Sequence, residues 1–154
     1  MPLGDSGARS RSDVAAALYA YTLERGDAAF VHQHVVDALC AQDADASTPP
    51  MRLVFALVGL YLRVERGSTG RHVQRVHAAL AKQRPVWPTV SLPATRGALT
   101  AHDVLAATAG AARDAAIDAW CASVWEAYGP SRMTVIEFLR RYGEDSDGGA
   151  MTKS

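Results

Sequence analysis

The chain has 154 residues, 49% of them apolar and 21% charged, with 16 basic and 16 acidic side chains. That length suits one domain able to bury a core, and those proportions exclude an intrinsically disordered chain. A formal net charge of zero, without blocks of like charge, argues against a nucleic-acid binder or an anionic-lipid surface, both of which need a Lys/Arg excess.

Alanine is abundant and Arg far outnumbers Lys, a codon-usage sign of a GC-rich bacterial genome. Two cysteines, Cys40 and Cys121, are too few for a disulfide framework, lack metal-type spacing, and are expected to pack as small hydrophobes. The polar N-terminus has no hydrophobic signal region. The longest apolar run, Leu53 to Leu62, ends at Arg63 and is too short to cross a bilayer. A cytoplasmic protein is expected, with no membrane and no nucleic acid among its partners.

In chain order, residues 1–11 read as a flexible start. A first helix is predicted from the cap Ser12 to Gly26, with Val14, Ala17, Leu18 and Tyr21 on one face. Asp27 caps a second helix running to about Gln42, followed by a polar connection over 43–47. Thr48 with Pro49 at the first helical position opens a third helix, apolar on nearly every side, which stops at Gly67. Ser68 or Thr69 caps a fourth helix to about Gln83. Three prolines between Pro85 and Gly97 mark a long irregular loop. Thr100 caps a short helix over His102 to Ala107, a long helix spans Ala109 to Tyr128, and Pro130 begins a last one through Tyr142. Residues 143–154 read as a disordered tail. No segment alternates with period two, so the expected fold is all-α: one compact helical bundle, over 12–142, of about five to six helices with one long Pro-containing loop.

Wheels drawn at ~100° per residue turn an ionisable side chain toward the interior on each principal helix. His32 and Gln42 fall within the core stripe of Ala28, Val35 and Leu39; His34 lies at its edge, and Gln33 and Asp37 point away. Glu65 lines up with Val54, Val58 and Tyr61. His77 is flanked by Val73, Val76 and Leu80. Asp114, Asp118 and Trp125 border the stripe of Ile117, Cys121, Val124 and Tyr128. Buried ionisable groups need one another, a metal or a ligand. In an antiparallel bundle His32 and Glu65 share one end, and His77, about 10 Å into its helix at ~1.5 Å per residue, lies near that level. The opposing expectation is a hydrogen-bonded core histidine and a Glu65 paired with an arginine.

No specific catalytic motif is present. His32 and His34 project from different sides of a helix, and His72 and His77 are five apart, which is unlike a helical zinc-ligand pair. A phosphate-cradling loop, a dinucleotide fingerprint and a nucleophile elbow are all missing. Trp87, Trp120, Trp125 and Tyr128 could wall a small-molecule pocket or simply pack.

The run His32-Gln33-His34-Val35-Val36-Asp37-Ala38 with Ala41-Gln42, then Val64-Glu65, Leu99-Thr100, Asp103-Val104-Leu105-Ala106-Ala107, Ala119-Trp120 and Ser123-Val124-Trp125, resembles an uncharacterised bacterial group, the domain-of-unknown-function family fifty-nine forty-six. The similarity covers about Leu18 to Tyr142 and implies no particular reaction. It implies that His32, Asp37, Gln42, Glu65 and Trp125 belong to the family pattern, which adds Asp37 to the wheel-derived set. It also implies a Cys-rich segment and a second central histidine in relatives. Here the N-terminus has no Cys, and Ala56 stands at the histidine position, so His34 is the expected substitute in any metal site.

Together these features favour an inward polar pocket that takes a small molecule or a divalent metal ion. His32, Glu65 and His77 are the expected catalytic groups, with His32 as ligand or general base. Trp87, Trp125 and Gln42 are expected against the ligand. His32, His34, Asp37, His77 and Asp118, with Asp114 as an alternative, are the expected metal ligands. The rival readings are a metal-free lyase, cyclase or isomerase using a His–carboxylate pair, and a non-catalytic interaction protein, with a homodimer as one arrangement.

Overall fold

A computed structural model describes residues 10–143. Among them lie seven α-helices and no strand: α1 (Arg11–Arg25), α2 (His32–Asp43), α3 (Pro50–Arg66), α4 (Gly70–Lys82), α5 (Ala101–Ala106), α6 (Ala111–Ala127) and α7 (Arg132–Tyr142). A 3-10 turn at Gly129–Ser131 leads into α7. The fold is all-α, with seven helices among the described residues where about five to six were expected. Of the loose ends expected over 1–11 and 143–154, residues 1–9 and 144–154 lie outside the described residues, while Ser10 caps a helix, Arg11 is already helical and Gly143 ends the last helix. No helix among the described residues is long and apolar enough to cross a membrane.

Helix ends follow side-chain chemistry. Ser10, two residues before the expected cap, accepts from the Asp13 amide at 3.1 Å, and Thr69 accepts from the His72 amide at 3.1 Å. Thr100 and Asp103 cap α5 reciprocally, each satisfying an amide that the first helical turn leaves without a backbone partner. Gly26 and Gly67 end α1 and α3 in the left-handed conformation, which glycine adopts without steric cost.

The second helix departs from expectation. Asp27 does not cap it; its Oδ1 accepts from the amides of Phe30 and Val31 and closes a turn. Phe30 is left-handed there, with φ +59°, so α2 begins only at His32. Ala28 is therefore outside the helix and exposed rather than in the core. The start of α4 presses on this turn: the amides of Gly70 and Arg71 both reach the Ala29 carbonyl, at 2.7 and 3.3 Å. A Cβ at Gly70 would sit 1.8 Å from the Phe30 carbonyl oxygen, so only glycine allows α4 to approach so closely.

Helix α2 packs against α1, α3, α4 and α6, and α3 against α2, α4, α6 and α7. This pair forms the centre of the bundle. Leu18, Val35, Leu57, Val58, Ile117 and Trp120 meet there with essentially no exposure. Cys121 is buried and Cys40 half-buried, both as free thiols.

The long loop is tied down by polar contacts at the C-terminal end of α2. Gln42 donates to the carbonyls of Arg96 and Leu99, at 3.2 and 2.7 Å, and accepts from the Trp120 indole at 2.9 Å. Arg96 returns to the carbonyls of Gln42 and Ala44, and the Tyr128 hydroxyl donates to Ala41 at 2.7 Å. These donors satisfy carbonyls that the helix end leaves open, and a cation there also suits the helix dipole. At the other end of the loop, Trp87 stacks on Phe138 and meets Phe55 edge-on, with ring centres 5.2 and 4.9 Å apart. Replacing Gln42 with Ala strands an indole N–H and two carbonyls. The expected loss is about 2–3 kcal/mol in urea unfolding, and a change below about 0.5 kcal/mol would show that the loop is held by something else.

Candidate functional site

The three groups expected to form a catalytic centre do not meet. No hydrogen bond, ion pair or ring contact joins any two of His32, Glu65 and His77 among the described residues; each has partners of its own. His32 lies between the rings of Tyr19 and Phe30, with Nδ1 2.9 Å from the Thr22 hydroxyl. That hydroxyl also donates to the Leu18 carbonyl at 3.0 Å. With its one proton spent there, His32 Nδ1 is the donor to it. Partial burial lowers the His32 pKa.

Glu65 faces the opposite neighbours. It accepts from Trp125 Nε1 at 2.7 Å and takes a two-pronged contact from Arg132, at 2.7 and 2.6 Å. This Arg132 contact chiefly holds its carboxyl below the usual range. Glu65 thus fastens α3 to α6 and α7, the arginine pairing that was the opposing expectation. The level along the bundle was compatible with a meeting of His32 and Glu65, but α2 turns His32 toward α1 while α3 turns Glu65 toward α7.

The border aspartates are likewise used between helices. Asp114 binds Arg25 and accepts from the Tyr21 hydroxyl at 2.9 Å, joining α1 to α6. Asp118 pairs with Arg63 at 2.9 Å and is more than half exposed. Gln42 spends its amide on the loop and Trp125 its indole N–H on Glu65, while Trp87 is packed in an aromatic stack, and none of the three lines the cleft beside Asp37.

Two other polar side chains on α2 stand out. His34 is 1% exposed, and neither ring nitrogen has a hydrogen-bond partner. Burial, reinforced by the Arg63 charge, pulls its pKa down to about 4, so the ring is a neutral core group. Asp37 is 3% exposed, although the wheel directs it outward. A one-sided wheel fails because α2 is enclosed by four other helices. Asp37 Oδ1 accepts from Gln33 Nε2 at 3.0 Å, one turn earlier, while Oδ2 is buried without a partner. Burial raises this carboxyl well above its ordinary pKa, only partly offset by Gln33.

The space for Asp37 comes from α3. A Cβ built on Gly59 would stand 1.8 Å from Asp37 Oδ2 and 2.6 Å from Cγ, so any side chain at 59 collides with the carboxyl. Asp37 also lines an open cleft of about 520 Å³, walled by Tyr19 from α1, Gln33 and Cys40 from α2, Phe55 from α3 and His77 from α4. His77 Nε2 is 2.7 Å from the Phe55 carbonyl. A carbonyl can only accept, so Nε2 carries the proton and Nδ1 is the bare nitrogen of the neutral ring. Burial lowers the His77 pKa and that carbonyl opposes the shift. Burial also pushes the Cys40 thiol up to about 11, leaving it protonated and weakly nucleophilic at neutral pH.

Of the expected site residues, the cleft brings together Asp37 and His77. Ala56 lines it too, whereas His34, its expected substitute as a ligand, is not among the lining residues. Among the described residues no group of three His, Cys, Asp or Glu side chains gathers to hold a metal ion. Gln33, Tyr19, Cys40 and Gly59 were not anticipated as parts of a site. The available signals were the Gln33–Asp37 spacing of four, which makes neighbours on a helix, and a glycine within an otherwise apolar helix.

A model of a family of unknown function (DUF5946) matches residues 12–129. No curated protein and no solved structure matches the chain.

Two predictions follow from the buried polar pair. An unfolded histidine takes up a proton near pH 6.5, whereas folded His34 resists protonation until about pH 4. Across that window the unfolded state binds more protons, so stability falls with falling pH, by on the order of 3 kcal/mol from this ring. His34→Leu should keep neutral-pH stability and reduce that slope in denaturant midpoints; an unchanged slope would assign it to other groups. Gly59→Ala should cost roughly 1–3 kcal/mol by overpacking. With Asp37→Ala present, the same change should cost less or even stabilise, since Ala is the better helix former. Equal costs in both backgrounds would remove the proposed steric coupling.

Proposed function

Because the chain belongs to DUF5946, a family of unknown function, we propose a function from its own site: binding of a small organic molecule in the Asp37 cleft, with the carboxyl as its polar anchor. The carrying observation is a nearly buried carboxyl, lacking any cationic partner and with one oxygen unsatisfied, that lines a cleft of about 520 Å³. Such a group destabilises the empty fold unless something compensates, so its presence at the wall of a cleft favours a ligand. The cleft has the size range and mixed lining of small-molecule sites, with apolar walls and few polar groups. A protonated carboxyl and an imidazole with a bare nitrogen share the lining, so proton transfer to or from a bound molecule is chemistry it can supply. A divalent metal is the less supported occupant, because Asp37 and His77 would need further ligands.

The test pairs binding with titration. In a fragment screen followed by NMR, binders should shift Tyr19, Phe55 and His77 resonances, and Val36→Trp, placed on the cleft wall, should abolish the response. Fragments that bind only elsewhere would defeat the assignment. The raised Asp37 pKa means that the folded state holds this proton more tightly than the unfolded chain. Its contribution is thus greatest at low pH and is lost as pH rises toward the folded pKa. Asp37→Asn should therefore gain stability relative to the wild type between pH 4 and pH 8. A constant difference across that range would show a carboxyl ionised as readily as an exposed one.

A further inference from the structure

Zero net charge conceals an uneven distribution. From Arg66 to His102 the chain has no Asp or Glu, yet it carries six of the sixteen Lys and Arg residues. The fold gathers five of the six around one helix. Arg66 ends α3, Arg71, Arg75 and Lys82 lie on α4, and Arg84 follows it. All five are exposed. The three on α4 fall within about 40° of one another at ~100° per residue, opposite the buried Val73, Val76 and Leu80. At ~1.5 Å per residue the row runs for about 16 Å.

These charges are uncompensated. No ion pair engages any of the five among the described residues. Arg71 meets only neutral groups, the Gln74 side-chain carbonyl at 3.3 Å and the Phe30 ring. Helix α4 packs on α2 and α3, and the acids there and in the adjoining turn are committed elsewhere. Asp27 faces Arg25, Asp43 faces Arg11, Glu65 is bound to Arg132, and Asp37 is buried. Arg71 and Arg75 stand one turn apart, a like-charge spacing that slightly destabilises a helix. An external anion relieves that repulsion.

The composition of the face selects among polyanions. Its large apolar side chains are all turned inward, so it has nothing to insert into lipid and no apolar anchor of the kind that centres a protein interface. No aromatic residue occurs from 66 to 84 to stack a base. Exposed cations alone remain, four of the five being Arg, whose planar fork matches phosphate oxygens. A duplex lying along 16 Å of helix presents about nine phosphate charges, ample for all five.

We infer that the outer face of α4, with Arg66 and Arg84 at its ends, binds the phosphodiester backbone of a nucleic acid without reading its sequence. This stands apart from the Asp37 cleft and does not depend on it. It replaces the expectation drawn from net charge, because net charge averages over every face of a molecule whereas a duplex meets one.

Fluorescence anisotropy of a labelled duplex of about 20 base pairs, titrated with the full chain over 50–200 mM salt, tests this. Log affinity should fall against log salt with a slope of about −4, a loss of about 250-fold over that range. A duplex of scrambled sequence should bind equally well. Arg71→Gln, Arg75→Gln and Lys82→Gln together should flatten the slope to between about −1 and −2, whereas Arg11→Gln on α1 should leave it unchanged. Denaturant midpoints check that the variants fold; if the triple variant does not, Arg75→Gln alone should reduce the slope by about one. A slope unmoved by these variants, or moved as much by Arg11→Gln, would place the contact elsewhere and overturn the inference. Tighter binding of a Glu-rich peptide or of vesicles containing phosphatidylserine would give the face to another partner and overturn it too. Absence of duplex binding at 50 mM salt would end it.

Discussion

A carboxyl enclosed between two helices, with no side chain or backbone group of the described residues to meet one of its oxygens, constrains the rest of this molecule. Ionising Asp37 in place is costly, so the group either keeps its proton or acquires a charge partner. Helix α3 can lie against it only because residue 59 has no side chain. A glycine inside a helix costs about 1 kcal/mol relative to alanine. The close packing of α2 on α3 and the presence of the carboxyl are therefore one arrangement, and the cleft that opens beside it follows from both.

Elsewhere polar groups are almost fully matched, which sets Asp37 and His34 apart. Glu65 has Arg132 and Trp125, Asp114 has Arg25 and Tyr21, Asp118 has Arg63, and Gln42 has all of its bonds made. These links fasten one helix to another or to the long loop. His34 differs from Asp37 in its surroundings. It is closed in by core residues on a face that does not line the Asp37 cleft, and as a neutral ring it costs only its missing hydrogen bonds. It is a structural group with an acid-labile character, whereas Asp37 lies where a ligand can reach its neighbours.

Much of the fold was legible in the sequence because helix boundaries are local chemistry. The caps at Thr69 and Thr100, and the stops at Gly26 and Gly67, are read from single residues and their immediate neighbours. The all-α class follows from the same periodicity. The candidate site was less legible. Wheels assume that a helix has one inside, and α2 has neighbours on four sides, so Asp37 was turned outward on paper and inward in space. The likeness to the family named Asp37 where periodicity did not. His32, Glu65 and His77 each contact a neighbouring helix, but which helix that is depends on packing angles that no single segment carries. The misplaced start of α2 has a local cause: Asp27 closes a turn around a left-handed Phe30, and that side chain gives no hint of the conformation.

The fastening at the end of α2 bears on how the chain reaches its native state. The last carbonyls of this central helix find donors only in Arg96 and Tyr128, and the Gln42 amide is completed only by Leu99 and Trp120. A nascent chain that has emerged only through α4 therefore holds its innermost helix with the far end open to water. All the side chains that wall the cleft come from the first four helices and their connections, yet the contacts that close the far end of α2 come from the loop and helix that follow.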